Sequence, residues 1–333
     1  MKVCITASAH VRNSEMCCDE WISALEKERL ASGADIIISH DSWKQPNLNL
    51  PKDWKVFDYD AQKRELGEEL FELSKQFHKN CSIKNFGLWY AYKNNYDAVI
   101  LIDSDCIISP GFVEEHVKHL NTKGDGWDNP IKNCEGGFYS RGFPYIKREM
   151  KKWFHLGLWS NEPDLYGQDR VGKEVPKGLR DLVNAPEYVS NGSFFPMSGM
   201  NVSFIREALP YMLFLPVFYF EGQRFNRHDD IWGGYILQKI ALLKNTSFSY
   251  GTPYVYHHTE VDAEADAREE VAMIKYENDF YRLVNKAISY QNVDEDSSQE
   301  KILSTLVKEL QSEEKFKPIA DAFLYQIKAF SNL

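Results

Sequence analysis

Five consecutive apolar residues, Ala98–Ile102, stand between Asp97 and Asp103 with no polar residue among them. A strand with one wet face alternates with period two, so this run predicts a strand buried on both faces, the condition of a central strand in a sheet covered by helices. Its last residue hands the chain directly to Asp103-Ser104-Asp105. Ligands of open parallel sheets bind beyond the carboxyl ends of the strands, so carboxylates delivered there are candidates for chemistry.

The surrounding pattern is α/β. Residues 2–7 and 35–39 are β-branched runs that read as strands. Between them Ser14 is placed to cap a helix on which Cys18, Trp21, Ile22 and Leu25 recur at helical spacing, with Gly33 to end it. Leu66, Leu70, Leu73 and Phe77 predict a second helix, Ser82 a capped third running to about residue 94, and Ser109-Pro110 the start of a fourth through Leu120. Alternating strand and helix over 1–120 predicts a mostly parallel sheet covered on both faces. Residues 121–200, rich in Gly, Pro, Asn and Trp, read as irregular and functional. A helix is expected near 229–243 and strands near 247–250 and 254–257.

Residues 208–220 form the longest apolar stretch, but Pro210 and Pro216 interrupt it and it is too short to span a bilayer, so it reads as buried interior. Beyond His258 three apolar stripes follow at helical spacing: Val271, Ile274, Tyr281, Val284 and Ile288; then Ile302, Leu306 and Leu310; then Ile319, Phe323, Ile327 and Phe330. Such faces need cover, either on the same chain or across a subunit interface.

The net charge of −10 is the reverse of a nucleic-acid footprint, and no nucleic-acid partner is expected. Cys4, Cys17, Cys18, Cys81, Cys106 and Cys134 form no CxxC pair and suit reduced thiols. The chain opens into strand-like sequence without a leader pattern, so a cytoplasmic protein without a membrane span is expected.

Asp-x-Asp occurs three times, at Asp58-Tyr59-Asp60, Asp103-Ser104-Asp105 and Asp294-Glu295-Asp296, and only the second follows a strand that reads as central. Two hard carboxylates there suit Mn²⁺ or Mg²⁺ on nucleotide phosphates; the plainer alternative is a turn capped by Asp103. His257 is a candidate third ligand, since imidazole is acceptable to Mn²⁺ and suits Mg²⁺ less. His228-Asp229-Asp230 puts two carboxylates at a helix start. One is explained by capping, which leaves the other to hold a sugar hydroxyl or to stabilise charge developing at an anomeric carbon. Arg141 and Arg148, in the irregular region, are candidates for a diphosphate, or else solvated loop arginines. GxxxxGK[ST], HExxH and a GxGxxG after the first strand are all missing from the sequence.

Taken in order, six segments resemble the reversibly glycosylated polypeptides, a family that includes the UDP-arabinopyranose mutases. They are Asp103-Ser-Asp-Cys106, Arg141-Gly-Phe-Pro-Tyr145, Gly157-Leu-Trp-Ser-Asn-Glu-Pro-Asp164, Met197-Ser-Gly-Met-Asn201, Asp229-Asp-Ile-Trp-Gly233 and Tyr254-Val-Tyr-His257. The resemblance is clear over about residues 80–260; before that, Asp35-Ile-Ile-Ile-Ser-His-Asp41 and Arg64-Glu-Leu-Gly67 look like its nucleotide-side elements. It implies a GT-A-like nucleotide-sugar catalytic domain over 1–258, followed by a helical region over 259–333. It further implies a metal-dependent UDP-sugar mutase, interconverting pyranose and furanose forms of UDP-arabinose and glycosylating itself reversibly at Arg141.

On that resemblance Arg141, Asp229 and Asp230 are catalytic; Asp41, Arg64, Asp103, Asp105 and Arg148 bind the UDP-sugar; and Asp103, Asp105 and His257 hold Mn²⁺ (or Mg²⁺). A homo-oligomer through the C-terminal helices is expected. A glycosyltransferase serving a separate acceptor is the alternative, and a nucleotide-sugar-binding subunit without catalysis the third reading. The chain departs from the family pattern where Ser104 replaces an acid, where Ser198 replaces a common cysteine, and over residues 4–12. The first and third acids persist, so the departures bear on the sugar rather than on the metal pair.

Overall fold

The run Ala98–Ile102 is β4, every residue of it fully buried. It lies fourth in a path whose order is β3 (Lys55–Phe57), β2 (Asp35–His40), β1 (Val3–Ala9), β4, β9 (Asn201–Ile205), β7 (Met150–Trp159), β12 (Ser247–His257) and β5 (Cys106–Ile108). β6 (Lys123–Gly124) adds to β7, and β8 (Tyr188–Val189) to β12. The structure, a computed structural model, describes residues 1–9, 17–43, 50–78, 80–129, 131, 137–161, 163–173, 188–189, 192–258, 262–331 and 333. Ser14, Cys134, Glu162 and residues 10–12 lie outside them.

The chain has the expected α/β class, and its sheet is parallel on one side and mixed on the other. β3, β2, β1 and β4 run together; β9 opposes both β4 and β7, while β12 follows β7 and opposes β5. β5 reverses because only Asp103–Asp105 separates it from β4, too short for a parallel crossover.

β7, which runs between β9 and β12, falls inside the region expected to be irregular. Its sequence hides it: Lys152 and His155 are fully buried, but Lys152 reaches Thr122 Oγ1 (2.6 Å) and His155 reaches Ser249 Oγ (2.8 Å) and the Thr252 carbonyl (2.6 Å). A buried strand that carries satisfied polar side chains loses its apolar signature. The two strands expected at 247–250 and 254–257 are one strand, β12, with a register shift between Gly251 and Tyr254.

Helix α1 (Asp19–Ser32) buries Trp21 and Leu25 and ends at Gly33, which takes φ 75° and returns its N–H to the Arg29 carbonyl. The single helix expected over 66–77 is instead α2 (Tyr59–Leu66) and α3 (Glu68–Ser74), broken at Gly67; Leu73 faces solvent and Phe71 faces the core. Asn80, rather than Ser82, supplies the capping oxygen for the turn leading into α4 (Lys84–Lys93). Ser109-Pro110 precedes α5 (Phe112–Asn121) without capping it: the amides of Gly111 and Val113 go to the buried Glu28 carboxylate, at 3.0 and 2.8 Å.

After the short α6 (Gly167–Arg170), α7 (Asp229–Leu243) leads into β12. The chain finishes with α8 (Ala263–Ala287), α9 (Gln299–Leu310) and α10 (Lys317–Ser331). These last three pack on their own chain. Ile302, Leu306, Leu310, Ile319 and Phe323 are fully buried in the cluster that also holds Trp89 and Trp232, each such aliphatic or aromatic side chain contributing about 1.5–3 kcal/mol. Trp232 stacks on Phe280 at 4.2 Å, and Trp89 Nε1 donates to the Ala329 carbonyl at 3.1 Å. In the first stripe Val284 and Ile288 are buried and Ile274 and Tyr281 pack against the core, while Val271 is exposed and Ala272 and Met273 point inward in its stead. Among the described residues no helix is long and apolar enough to cross a membrane, and the described cysteines are free thiols.

Candidate active site

The carboxyl edge of the sheet gathers the acids. Ile102 at the end of β4 pairs with Asn201 at the start of β9, and His257 at the end of β12 pairs with Cys106 at the start of β5. The Asp103–Asp105 turn, the Gly199 loop and His257 therefore share one rim. The turn is fixed by backbone: Cys17 N donates to the Ser104 carbonyl (2.8 Å), Trp21 Nε1 to the Asp103 carbonyl (3.1 Å), and His258 N to the Asp105 carbonyl (2.9 Å).

Asp105 sits 3.3 Å, Oδ2 to Nε2, from His257. Burial works against charge on the imidazole, but the Asp105 hydrogen bond and the fields of Asp103 and Asp164 more than offset it, so the His257 pKa is raised. Asp103 is paired, through Oδ1, with the ammonium of Lys84, a side chain only 4% exposed. Burial opposes the Lys84 charge as well; Asp103 and Asp229 outweigh it and hold the lysine protonated well above its ordinary range. Burial pushes the Asp103 carboxyl upward, and Lys84 works in the opposite direction.

Asp229 and Asp230 open α7. The N-cap position is His228, without a side-chain cap. Asp230 Oδ2 instead accepts from Gly199 N and Oδ1 from Ile231 N, both at 2.8 Å. Burial and the neighbouring Asp229 raise the Asp230 pKa to about 8, far above the ordinary carboxylate range. Gly199 joins the two halves of the site. A Cβ there would lie 2.9 Å from Phe214, 3.1 Å from Lys84 Nζ and 3.5 Å from Asp230 Oδ2, so the close approach of Phe214 and Lys84 favours glycine.

Asp41 follows β2 on the same edge; its amide donates to the Ala9 carbonyl at 3.2 Å, and its carboxylate accepts from the Tyr59 hydroxyl. Asp41, Asp103, Asp105, His257, Asp229 and Asp230 are therefore brought to one edge. Arg148 and Arg141 are not, and Arg64 is exposed on α2, the helix whose Tyr59 meets Asp41. Arg148 lies just before β7, its guanidinium 3.9 Å from the Tyr145 ring centroid and 4.4 Å from that of Tyr139, with Nη2 on the Phe143 carbonyl at 3.0 Å. Arg141 is exposed in the turn that precedes Phe143. That loop is tied to the amino end of β7 through Gly126 N on the Lys147 carbonyl and Tyr139 on Asp125. Ten residues of β7 span about 30 Å, which separates the loop from the acidic edge. The expectation that Arg148 clamps a diphosphate beside Asp103 on the same chain is thereby corrected: aromatic stacking at the wrong end of the strand holds it.

Lys84 is the charged group at this edge that the sequence pattern does not point out. Its signal is a lysine at the head of a helix whose next five residues, Asn85–Trp89, are all buried. As for a metal, two carboxylates and an imidazole are the right chemistry for a hard divalent ion. Among the described residues no three His, Cys, Asp or Glu side chains are already gathered round one position, because Lys84 stands on Asp103.

A family model described as reversibly glycosylated polypeptide matches residues 11–333. UDP-arabinopyranose mutase 1 of Arabidopsis thaliana is 27% identical over 329 residues, covering 90% of this chain and 85% of that one. UDP-arabinopyranose mutase 1 of Oryza sativa subsp. japonica is 26% identical over 326 residues, covering 90% and 84%. Among solved structures, glucosyl-3-phosphoglycerate synthase from Mycobacterium tuberculosis, in complex with Mn²⁺, UDP-glucose and phosphoglyceric acid, is similar with a TM-score of 0.46 and 14% identity, over 84% of this chain and 80% of that one. Mannosyl-3-phosphoglycerate synthase from Rubrobacter xylanophilus gives 0.43 and 11%, over 86% and 75%. With its six segments in order and a match that runs from residue 11 to the C-terminus, the chain belongs to the reversibly glycosylated polypeptide family.

Proposed function

We propose that this chain is a cytoplasmic UDP-sugar mutase of the UDP-arabinopyranose/furanose type, acting on a GT-A-like nucleotide-sugar fold. The observation that carries the reading is the convergence of Asp103, Asp105, His257, Lys84, Asp229 and Asp230 on the carboxyl edge of the sheet. Ring contraction requires the bond from C1 to the UDP oxygen to break, with the electron pair leaving on the diphosphate. The 4-hydroxyl must then bond to C1 and lose its proton, and the bond from C1 to the ring oxygen must break with that oxygen gaining a proton, before UDP returns to C1. Two adjacent carboxyls suit that exchange, with Asp230, whose pKa burial and Asp229 raise, as the proton donor and Asp229 as the acceptor. Lys84 and His257 supply positive charge facing the departing diphosphate. A divalent ion, when bound, would add Lewis-acid charge on the Asp103 and Asp105 side; the protein's own part is to bind, orient and move protons.

Arg141 bears on the second reading. Its loop lies at the far end of β7 from the acidic edge, so attachment of sugar to Arg141 takes place between copies, in a homo-oligomer or on encounter; a transferase serving a separate acceptor has the same geometry. Incubation with labelled UDP-arabinopyranose separates the readings: chromatography shows UDP-arabinofuranose for the mutase, labelled acceptor for the transferase, and neither if both fail. Mixing Arg141→Lys with Asp105→Asn protein tests the exchange between copies. Label is expected on the Asp105→Asn copy alone, and its absence there while wild type labels itself would refute transfer between copies.

A further inference from the structure

Lys84 is expensive to keep. Its side chain is 4% exposed at the first turn of α4, where an ammonium is opposed both by burial and by the positive end of the helix dipole. An apolar side chain of similar length would fill the space beside the Phe214 ring, whose centroid lies 5.3 Å from Nζ. What the ammonium does touch is Asp103 Oδ1, with the Gly199 carbonyl at 3.4 Å. Asp103 belongs to the carboxylate pair that the function proposed above gives to a divalent ion.

We propose that Lys84 is the resident cation of this site: in the free protein its ammonium holds the cation's place on Asp103 and keeps a lone divalent ion out, and the ion enters only together with a nucleoside diphosphate, whose phosphate oxygens take the ammonium over. This inference rests on the UDP-sugar reading. A divalent ion set on Asp103 alone would have to share that one carboxylate with a buried ammonium. A diphosphate brings the negative charge that accommodates both. Binding of ion and nucleotide is therefore strongly coupled, and the coupling runs equally in both directions.

The test titrates full-length protein with Mn²⁺ alone and with Mn²⁺ plus saturating UDP, following the free Mn²⁺ signal by electron paramagnetic resonance. Wild type is expected to bind Mn²⁺ at least tenfold more tightly with UDP than without. Lys84→Gln is expected to bind Mn²⁺ alone at least tenfold more tightly than wild type, a factor expected even with water-like screening of the lost charge. Lys84→Arg, which keeps the charge, should still exclude it. Equal Mn²⁺ affinity of wild type with and without UDP overturns the proposal, and that comparison stands even where Lys84→Gln fails to fold. Unchanged affinity for Mn²⁺ alone in folded Lys84→Gln overturns it as well. Calorimetry of UDP with wild type in excess Mn²⁺ keeps the two levels apart: no UDP binding refutes the nucleotide-sugar reading, whereas UDP binding with tight Mn²⁺ uptake in its absence refutes only the role of Lys84.

Discussion

Replacing Asn201 by alanine should cost about 3–4 kcal/mol, and the reason lies in how three strands are joined just beneath the site. Pro253 has no N–H to give, and the ladder between β12 and β7 is interrupted from Gly251 to Tyr254. Asn201 fills the gap from β9: its Nδ2 donates to the Leu158 carbonyl (3.1 Å) and the Pro253 carbonyl (2.9 Å). With both amide hydrogens committed, Oδ1 must accept, and it does so from His116 Nε2 at 2.9 Å. His116 is fully buried, burial holds its pKa down to about 3, and its neutral ring places Nδ1 against Ser203 Oγ at 2.9 Å.

Three hydrogen bonds at about 1 kcal/mol each, plus the penalty for a buried imidazole N–H left without an acceptor, give the figure. Unfolding entropy of about 2.1 cal/mol/K per residue over 333 residues is about 0.7 kcal/mol/K, so the melting temperature should fall by roughly 5 °C. The sharper check is a double-mutant cycle. A Cβ on Gly157 would overlap the Asn201 amide, so Gly157→Ala alone should cost at least about 2 kcal/mol. In the Asn201→Ala background the space is open, and the same change should cost under about 1 kcal/mol. Calorimetric melting of the four proteins measures this; additive losses, or an Asn201→Ala loss below about 1 kcal/mol, would refute the reasoning.

Further outcomes follow from the same contacts. Asp230 has its folded pKa raised from 3.8 to about 8, so the native state binds more protons than the unfolded chain between those values; stability from this group falls as pH rises through that window, by at most about 1.4 kcal/mol per pH unit. The melting-temperature advantage of Asp230→Asn over wild type should widen from pH 5 to pH 8, and a difference that stays constant across that range would count against a raised Asp230 pKa. Asp105→Asn should leave the fold intact, weaken metal-dependent UDP binding at least tenfold, and lower the His257 pKa as followed by NMR; unchanged UDP affinity would remove Asp105 from the site. Truncation after His258 should yield insoluble protein rather than a smaller soluble species, because the cluster around Trp89 and Trp232 loses its cover; a soluble, cooperatively folding 1–258 fragment would show that 259–333 is an appendage.

What could be read from the amino acids alone were the places where one physical signal acts without competition. The unbroken apolar run of β4, the glycine stop after α1 and the stripes of α9 and α10 all came out where the pattern put them. The misplacements have a common cause in tertiary partners. α5 starts beyond Ser109-Pro110 because Glu28, more than eighty residues earlier in the sequence, meets its open amides. β7 reads as loop because its buried Lys152 and His155 find partners on other elements. Asp103, Asp105, His257, Asp229 and Asp230 could be nominated from their positions at element ends. Lys84 could not, because the burial that gives its charge significance is a property of the packed fold. Arg148 carried the right chemistry to the wrong end of a strand, a distinction that only the register of β7 supplies.

The serine between the two site acids is the departure from the family pattern that most needs a physical account. Alternation through the tight turn places Asp103 and Asp105 toward Lys84 and His257, and turns residue 104 the other way. Ser104 is 3% exposed, packed toward the buried Cys17, whose thiol is pushed up to about 12 by burial and drawn back in part by its hydrogen bond to Ser104. The middle position of the acidic run therefore faces the interior, on the side of Cys17. A carboxylate there would have to be buried beside a thiol, at a cost of about 2 kcal/mol or more while ionised. Ser104→Asp should accordingly destabilise this chain at neutral pH. The aspartate's folded pKa would be raised, so the lost stability should return as pH falls toward the ordinary carboxylate value. UDP affinity measured under folding conditions should stay within about twofold of wild type. A variant as stable as wild type at pH 7, or one that is stable but loses UDP, would show that residue 104 faces the ligand after all and that its replacement by serine altered the site.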